Sequence, residues 1–260
     1  MTSETVFPHL PSMLLYFTFL CTVMCFLGSS NNIHNSKYLR ARTADCESYM
    51  ISVRLNDDHS ICCDLKEKIS FSFFSLSLCD ATLHWSNRIL SSGYALFIPF
   101  LPFLSTLLID MFFGKKPLNA SLRDSYKSRG LTYLIIILYR LYILYKVADS
   151  VQRAVQEAEG TFCWYAHLVK HGKCKDNYDF SDHIVLYMVQ YALPSLAEIC
   201  YALKLSWRRY LPTIMIAALL LVTCLKGVFL TSSYFHTAEE CYVAILVSVV
   251  LAYLPAIYLM

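Results

Sequence analysis

Charged residues are scarce in this sequence of 260 residues. Lys, Arg, Asp and Glu make up 16% of the chain, whereas a soluble globular domain is about a quarter charged. The formal net charge is only +3 and forms no basic cluster, so the electrostatic footprint of a nucleic-acid-binding protein is missing. With 7 glycines and 8 prolines, the chain has little room for long flexible linkers, and it contains no internal repeat.

Apolar sequence takes the place of charge, since 57% of the residues are hydrophobic. A helix that crosses a bilayer needs about 20 apolar residues, and backbone polar groups cannot stay unpaired in lipid, so the crossing segments should be helices. The sequence therefore predicts an all-α polytopic membrane protein, with a single integral membrane domain over residues 1–260. The six predicted spans are 11–29, 89–113, 131–149, 183–203, 211–231 and 239–259.

The first predicted span has two interpretations, a retained helix or a cleaved signal peptide. The preceding residues, MTSETVFPHLPS, contain no Lys or Arg, which the start of a signal peptide normally carries. A retained helix is therefore favoured. A long first loop, 30–88, follows this span, and its apolar stretch 69–78 is too short to cross a bilayer as a helix.

Charge counting does not decide which side of the membrane each loop faces. The second and fourth loops are dense in Lys and Arg, which favours the cytosol. The first span argues the reverse, because Lys37, Arg40 and Arg42 follow it and no basic residue precedes it. The sequon at Asn119 lies in the second loop, so it should carry no glycan if that loop is cytosolic.

Cysteine distribution favours a lumenal first and third loop. Six of the eleven cysteines lie there and none lies in the second or fourth loop, and disulfides persist in the endoplasmic reticulum (ER) lumen rather than in the cytosol. Cys163 and Cys174 either form a bridge or are free thiols like the others. The six cysteines of these loops are Cys46, Cys62, Cys63, Cys79, Cys163 and Cys174.

The stretch DFSDH at 179–183 places a histidine at the edge of the fourth predicted span. Either Asp179 or Ser181 can cap a helix that begins near Asp182, because both side chains accept a backbone N–H. Unpaired N–H groups and the helix dipole make a helix N-terminus suitable for phosphate. His183 would stand beside a phosphate bound there, although a single histidine at this position is also typical of a solvated membrane edge.

The stretch SSYFHTAEE places a second histidine, His236, at the end of the fifth predicted span. Glu240 follows it by four residues, which on a helix puts both side chains on one face, so Glu240 should orient the imidazole as a carboxylate does in hydrolytic triads. Because the fourth and fifth spans are antiparallel neighbours of similar length, His183 and His236 should reach the same bilayer face. Two histidines across one phosphate favour phosphotransfer, with one attacking phosphorus and the other protonating the leaving oxygen.

The stretches DFSDHIVLYMVQYALPSLAE and SSYFHTAEE together resemble the fat-storage-inducing transmembrane (FIT) family. That family shows S-G-H at the start of one span and Y-F-H at the end of the next. The resemblance is good over about 161–250, weak over 85–150 and absent from the first loop, so residues 131–260 carry it together with the histidine pair. It implies a six-span ER membrane protein related to lipid phosphate phosphatases, with both histidines facing the lumen.

The FIT resemblance also implies an activity and the residues that perform it. The expected reaction is cleavage of fatty acyl-CoA to acyl 4′-phosphopantetheine and adenosine 3′,5′-bisphosphate, in support of lipid-droplet formation and ER lipid homeostasis. The resemblance extends to the lipid phosphatases related to this family, and it implies that His236 is the nucleophile and His183 the general acid. Glu240 stands where those phosphatases have a carboxylate, four residues after the nucleophile. Asp182 stands where the family has glycine; its carboxylate would repel a phosphate but favour a protonated histidine.

Charges within the predicted spans are the remaining candidate binding groups. A charge at the bilayer centre costs at least about 2.5–3.5 kcal/mol on insertion scales, so it usually faces a cavity or another charge. Arg140 and Lys226 are therefore candidates to steady a diphosphate, together with Asp179 and Ser181. Alternatively, Arg140 pairs with Glu198 and fixes the helix register. No cofactor is expected, because this chemistry needs none and zinc-ligand spacing is missing from the sequence.

Two further function classes stay open beside the acyl-CoA hydrolase. One is a catalytically silent relative that binds diacylglycerol or triacylglycerol, which Asp182 favours. The other is a generic lipid phosphatase or phosphotransferase. All three have the lipid bilayer as their surroundings and none involves nucleic acid, while the sequence leaves protein partners undefined.

Overall fold

Helices form most of the chain that the computed structural model describes. The structure describes residues 9–35, 39–41, 50–54, 59–64, 96–113, 120–147, 181–234, 236 and 238–259. The helices in these residues are α1 (Leu10–Asn35), α2 (a 3₁₀ turn Ile98–Phe100 continued by Leu101–Phe113), α3 (Ala120–Tyr139 continued by a π-helical turn Arg140–Val147), α4 (Asp182–Leu205), α5 (Leu211–Tyr234) and α6 (Ala238–Ser248, Val249–Tyr253 and Leu254–Leu259).

Four of the helices in the described residues are long and apolar enough to cross a membrane. They confirm the predicted helical membrane protein, while α2 is apolar but shorter, and α3 begins at Ala120 instead of the predicted 131. Large apolar side chains on the outer helices are exposed, as a lipid-facing surface requires. Examples are Leu15, Phe19, Phe112, Leu138, Leu219 and Leu246.

Helix α4 lies at the centre of the helix bundle. The whole of its membrane-length segment is buried inside the protein, whereas the other three long helices bury less than half of theirs. Its sequence explains this position, because apolar residues occupy all its faces and a helix of that kind needs protein on every side. Two polar side chains, Gln190 and Glu198, are nevertheless fully buried in it, so the neighbouring helices must supply their partners.

The helices run alternately in opposite directions, as their contacts show. At one end of the bundle, Asp110 at the end of α2 meets Tyr126 near the start of α3 and Tyr210 just before α5. At the other end, Gly28 of α1 lies against Ser232 of α5, and the first turn of α4 packs against the start of α6. We call this second end, which holds His183 and His236, the histidine end.

Prolines account for two local changes of helix geometry. Pro194 and Pro255 lack the N–H that would close an α-helical turn, and in each case a π-helical turn precedes the proline. Such turns accommodate a missing backbone bond without ending the helix. In α4 this places Gln190 in the widened turn Leu186–Ala192.

A small antiparallel sheet in the first loop corrects the all-α prediction. Its strands are β1 (Leu39–Ala41), β2 (Met50–Arg54) and β3 (His59–Asp64), and β3 is central in the order β1–β3–β2 among the described residues. The alternation of apolar and polar residues in MISVR is typical of a strand. Hydropathy over membrane-length windows does not detect strands as short as these, so it does not predict the sheet.

Candidate active site

Ser181 begins the helix that carries the first histidine. Its side chain accepts a hydrogen bond from the Ile184 backbone N at 3.4 Å, and its own backbone is extended, which is the geometry of a helix N-cap. Ser181 therefore caps α4, which confirms one of the two predicted candidates for the cap. The other candidate, Asp179, lies outside the described residues.

His183 stands in the first turn of α4 with a carboxylate on one ring nitrogen. Its Nδ1 lies 3.1 Å from Asp182 Oδ1, and the His183 side chain is 52% exposed. A carboxylate can only accept a hydrogen bond, so the hydrogen is on Nδ1 of His183. The contact fixes the orientation of the ring and thereby the position of Nε2. Asp182 thus contacts the general-acid candidate directly.

His236 has the same relation to Glu240, but in a buried setting. Its Nδ1 lies 3.2 Å from Glu240 Oε2, and both side chains are about nine-tenths buried. The His236 backbone N–H donates to the Thr231 carbonyl at 3.0 Å, which ties the histidine to the last turn of α5. The predicted contact between His236 and Glu240 is confirmed; the catalytic roles of both residues stay predictions.

Both histidines lie at the bundle end that holds Asp182. Asp182 interacts electrostatically with His183, with His236 across the bundle end and with Arg140 of α3. The first turn of α4 also packs against both α5 and α6, which brings the three helix ends together. The histidine end therefore holds three cationic or potentially cationic side chains and two carboxylates, and each carboxylate is in contact with an imidazole.

Gln190 holds Arg140, a contact that sequence reasoning missed. Arg140 Nη1 donates to Gln190 Oε1 at 3.3 Å, and both side chains are buried. The predicted pairing of Arg140 with Glu198 is wrong, because Arg140 lies about two to three helical turns beyond Tyr133 and Arg129, the residues through which α3 meets Glu198. A buried glutamine in an apolar helix was the signal available in the sequence.

Glu198 instead anchors a buried polar cluster deeper in the bundle. It accepts hydrogen bonds from Arg129 Nη1 at 2.8 Å, Tyr133 OH at 2.7 Å and Thr106 Oγ1 at 2.9 Å. The Arg129 guanidinium also lies 3.5 Å from the Tyr201 ring centroid, a cation–π contact. This cluster belongs to the half of the bundle away from the histidines, so it stabilises the helix packing rather than the candidate site.

Asp110 organises the end opposite the histidines. It accepts hydrogen bonds from Tyr126 OH, from Tyr210 OH at 2.6 Å and from Arg209 Nη2 at 2.7 Å. Burial, and then the bond to Asp110, raises the pKa of Tyr126 and that of Tyr210, so both phenols stay protonated and donate. These contacts join α2, α3 and the turn before α5.

The remaining predicted binding residue, Lys226, lies deeper than the imidazoles. It is half-buried in α5, ten residues before His236, which is about 15 Å along the helix axis. Contact with a diphosphate would therefore require the ligand to extend into the bundle. Among the described residues, His, Cys, Asp and Glu side chains form no group of three or more that could hold a metal ion.

An apolar cavity of about 660 Å³ lies between α1, α4 and α5. Its walls come mainly from leucine, methionine and aromatic side chains, and its polar side chains, His9 and Ser12, are at the start of α1, away from the histidine end. Representative lining residues are Met13, Phe17, Leu196, Leu221 and Leu225. The cavity is thus suited to hydrocarbon.

The fold and the site define a class, a polytopic helical membrane protein with two imidazole–carboxylate pairs at one end of its bundle. Comparisons with protein-family models, with curated proteins and with solved structures found no match for this chain.

Proposed function

We propose that this chain is a membrane-embedded hydrolase that cleaves the diphosphate of fatty acyl-CoA, yielding acyl 4′-phosphopantetheine and adenosine 3′,5′-bisphosphate. The observation that carries the proposal is the pair of His236 and Glu240, 3.2 Å apart and largely buried, with His183 at the same bundle end. His236 falls in a Y-F-H motif like that of the FIT family, and His183 in S-D-H where that family has S-G-H.

The two histidines differ in exposure in the way that their proposed roles require. His236 is buried and its Nδ1 is occupied by Glu240, so Nε2 keeps a lone pair to attack the phosphorus of the adenosine-side phosphate. The bond from that phosphorus to the bridging oxygen breaks, and the more exposed His183 protonates this oxygen as the acyl phosphopantetheine leaves. Water then attacks the phosphohistidine, with His183 taking its proton, and releases adenosine 3′,5′-bisphosphate.

Arg140 and the start of α4 supply the positive charge for the diphosphate. Gln190 positions the Arg140 guanidinium, which binds phosphate oxygens through paired N–H groups. The α4 N-terminus behind Ser181 adds backbone N–H donors and the positive end of a helix dipole. Lys226, deeper along α5, is a further proposed ligand, and so is Asp179, two residues before Ser181 in the sequence.

We further propose six membrane crossings and a core like that of the lipid phosphate phosphatases, in the ER membrane with the histidines facing the lumen. The alternating helix directions support six crossings, because α2 and α3 run between the same two bundle ends as the four longer helices. The Arg-rich turn 206–210 lies at the end away from the histidines, where α2 ends and α3 begins, and the sequence between α2 and α3 is also rich in Lys, which favours a cytosolic position for that end. Lipid-droplet formation would then depend on acyl-CoA turnover at the lumenal face of the membrane.

Hydrolysis of oleoyl-CoA by the purified full chain tests the proposal, with adenosine 3′,5′-bisphosphate measured by mass spectrometry. We expect turnover in the unaltered protein, a loss of at least about 10²-fold in His183→Ala and His236→Ala, and a smaller loss in Glu240→Gln. His59→Ala, a histidine of strand β3, is the matched control and should keep full activity. Release of phosphate from phosphatidic acid instead would indicate a generic lipid phosphatase.

The apolar cavity favours a second candidate function, the binding of diacylglycerol or triacylglycerol without catalysis. Its volume of about 660 Å³ and apolar walls suit acyl chains. A correctly folded protein that turns over neither oleoyl-CoA nor phosphatidic acid, yet retains radiolabelled diacylglycerol through purification in detergent, would support this candidate over the hydrolase. Leu221→Trp, which would fill the cavity, should then abolish retention.

A further inference from the structure

The apolar cavity between α1, α4 and α5 is separate from the candidate active site. On α1 and α5 its lining ends at Leu20 and Leu225, and Leu225 lies eleven residues before His236, which is about 16 Å along the helix axis. Between the two sites α1 and α5 pack closely, since a Cβ on Gly28 would overlap the Ser232 hydroxyl. The cavity therefore belongs to the half of the bundle away from the histidines.

Apolar walls alone do not select a ligand inside a membrane. The hydrocarbon of a lipid gains little by leaving the bilayer for apolar side chains, because lipid tails are as apolar as leucine. Tyr16 and Val222 line the cavity and are also exposed on the outside of the bundle, so a lipid chain can enter from the side. Selectivity must therefore come from the polar end of the cavity, where His9 and Ser12 lie.

The polar end of the cavity has the charge that a carboxylate needs. His9 directly precedes α1 and Ser12 lies in its first turn, which contains no acidic residue, and the N-terminus of a helix favours an anion. The Cys200 thiol of α4 donates to the Met13 sulfur of α1 at 3.2 Å. One helical turn further along each of these antiparallel helices lie Lys204 and His9, so the exposed Lys204 stands at the level of His9. None of the described residues that line the cavity is acidic.

We propose that this cavity binds a long-chain fatty acid, with the hydrocarbon chain between α1, α4 and α5 and the carboxylate held by His9, Ser12 and Lys204. Charged donors form the stronger hydrogen bonds with a carboxylate. The volume of about 660 Å³ is in the range for one small ligand, so it suits a single acyl chain rather than the several chains of a glycerolipid. The proposal does not rest on the hydrolase activity, and its ligand differs from the diacylglycerol of the second candidate function in its charged headgroup.

Photo-crosslinking with a diazirine analogue of palmitic acid tests the proposal on the full chain in phosphatidylcholine nanodiscs. This probe contains no diphosphate, so the result is independent of whether the protein hydrolyses acyl-CoA. We expect labelled peptides over residues 12–20 and 218–225, and competition by excess palmitic acid but not by the same amount of palmityl alcohol. Leu221→Trp should fill the cavity and abolish this labelling. Leu219→Trp is the matched control, because Leu219 is exposed on the same helix outside the cavity, and it should leave the labelling intact.

The double variant of His9→Ala with Lys204→Gln tests the headgroup contacts while the cavity stays intact. Loss of the charge-assisted hydrogen bonds should raise the palmitic acid concentration for half-maximal competition by roughly tenfold, with little change in Tm because both residues are exposed. Labelling spread evenly over the lipid-facing helices, without competition, would overturn the proposal and indicate ordinary bilayer lipid in the cavity. Equal competition by palmityl alcohol or by dioleoylglycerol would also overturn it, in favour of the neutral lipid of the second candidate function.

Discussion

At the scale of single residues, the histidine end contains the same arrangement twice. Asp182 contacts Nδ1 of His183 and Glu240 contacts Nδ1 of His236, at 3.1 and 3.2 Å. A carboxylate in this position fixes the ring orientation and stabilises the imidazolium form. Asp182 therefore has a positive role beside the general-acid candidate, in addition to the repulsion of phosphate that its charge alone predicts.

Asp182→Asn separates these two effects of the carboxylate. Removing the negative charge weakens the repulsion of substrate, so KM for oleoyl-CoA should fall, while loss of the stabilised His183 cation should lower kcat by about 10-fold or more. Steady-state kinetics on the purified variant measure both constants. An increase in kcat would mean that Asp182 acts only as a repulsive charge.

At the scale of the helices, the contact between α1 and α5 depends on the missing side chain of Gly28. A Cβ at this position would overlap the Ser232 hydroxyl and the Phe229 carbonyl, and the latter is backbone that cannot rotate away. We predict that Gly28→Ala destabilises the protein by about 1–3 kcal/mol, as overpacking of a well-packed core does. The Tm in detergent would show the loss.

Gly130→Ala is the matched control for this substitution. A Cβ at Gly130 would lie 3.4 Å from Phe103 Cζ, which is close to ordinary contact, and alanine favours a helix by about 0.8–1.0 kcal/mol over glycine. The Tm of this variant should be unchanged or slightly higher. Equal losses in the two variants would contradict the packing argument.

The pair of Arg129 and Glu198 makes a second prediction about helix packing, between α3 and α4. Glu198→Leu would leave the Arg129 guanidinium buried without its carboxylate, and such a change typically costs about 3–5 kcal/mol. The double variant Arg129→Leu with Glu198→Leu removes both charges, so it should be more stable than Glu198→Leu alone. Thermal unfolding of the unaltered chain, of Arg129→Leu, of Glu198→Leu and of the double variant tests this, and simple additivity of the two single effects would show that the pair is not coupled.

Helix α3 shows why some elements escaped prediction. A hydropathy search places its start at 131, since ASLRDSYKSRG is polar, yet the helix begins at Ala120 and places Arg129 inside the bundle. Arg129 is accommodated because Glu198 and the Tyr201 ring receive it from α4. Those partners are some seventy residues away in the sequence, so local composition carries no signal of the contact.

At the scale of the whole molecule, the helices alternate in direction, so the start of α4 and the end of α5 reach the histidine end together. The end of α2 and the start of α3 lie at the other end, where Asp110 contacts Tyr126. With the histidines in the lumen, the sequon at Asn119 should stay free of glycan, whereas Glu159→Asn, which completes a sequon with Gly160 and Thr161, should acquire one. Gel mobility before and after glycosidase treatment reads both sites, and the opposite pattern would invert the proposed topology.

The sequence by itself determined the helical membrane class, the helix cap at Ser181 and the contact of His236 with Glu240. Hydropathy, helix capping and i,i+4 spacing are properties of neighbouring residues, so a local stretch of chain contains all the information needed. Only the tertiary structure decided which helix lies at the centre and that Gln190 rather than Glu198 receives Arg140. These contacts join helices that are distant in sequence, and burial selects partners by the position and direction of whole helices, which the pattern of a single helix does not contain.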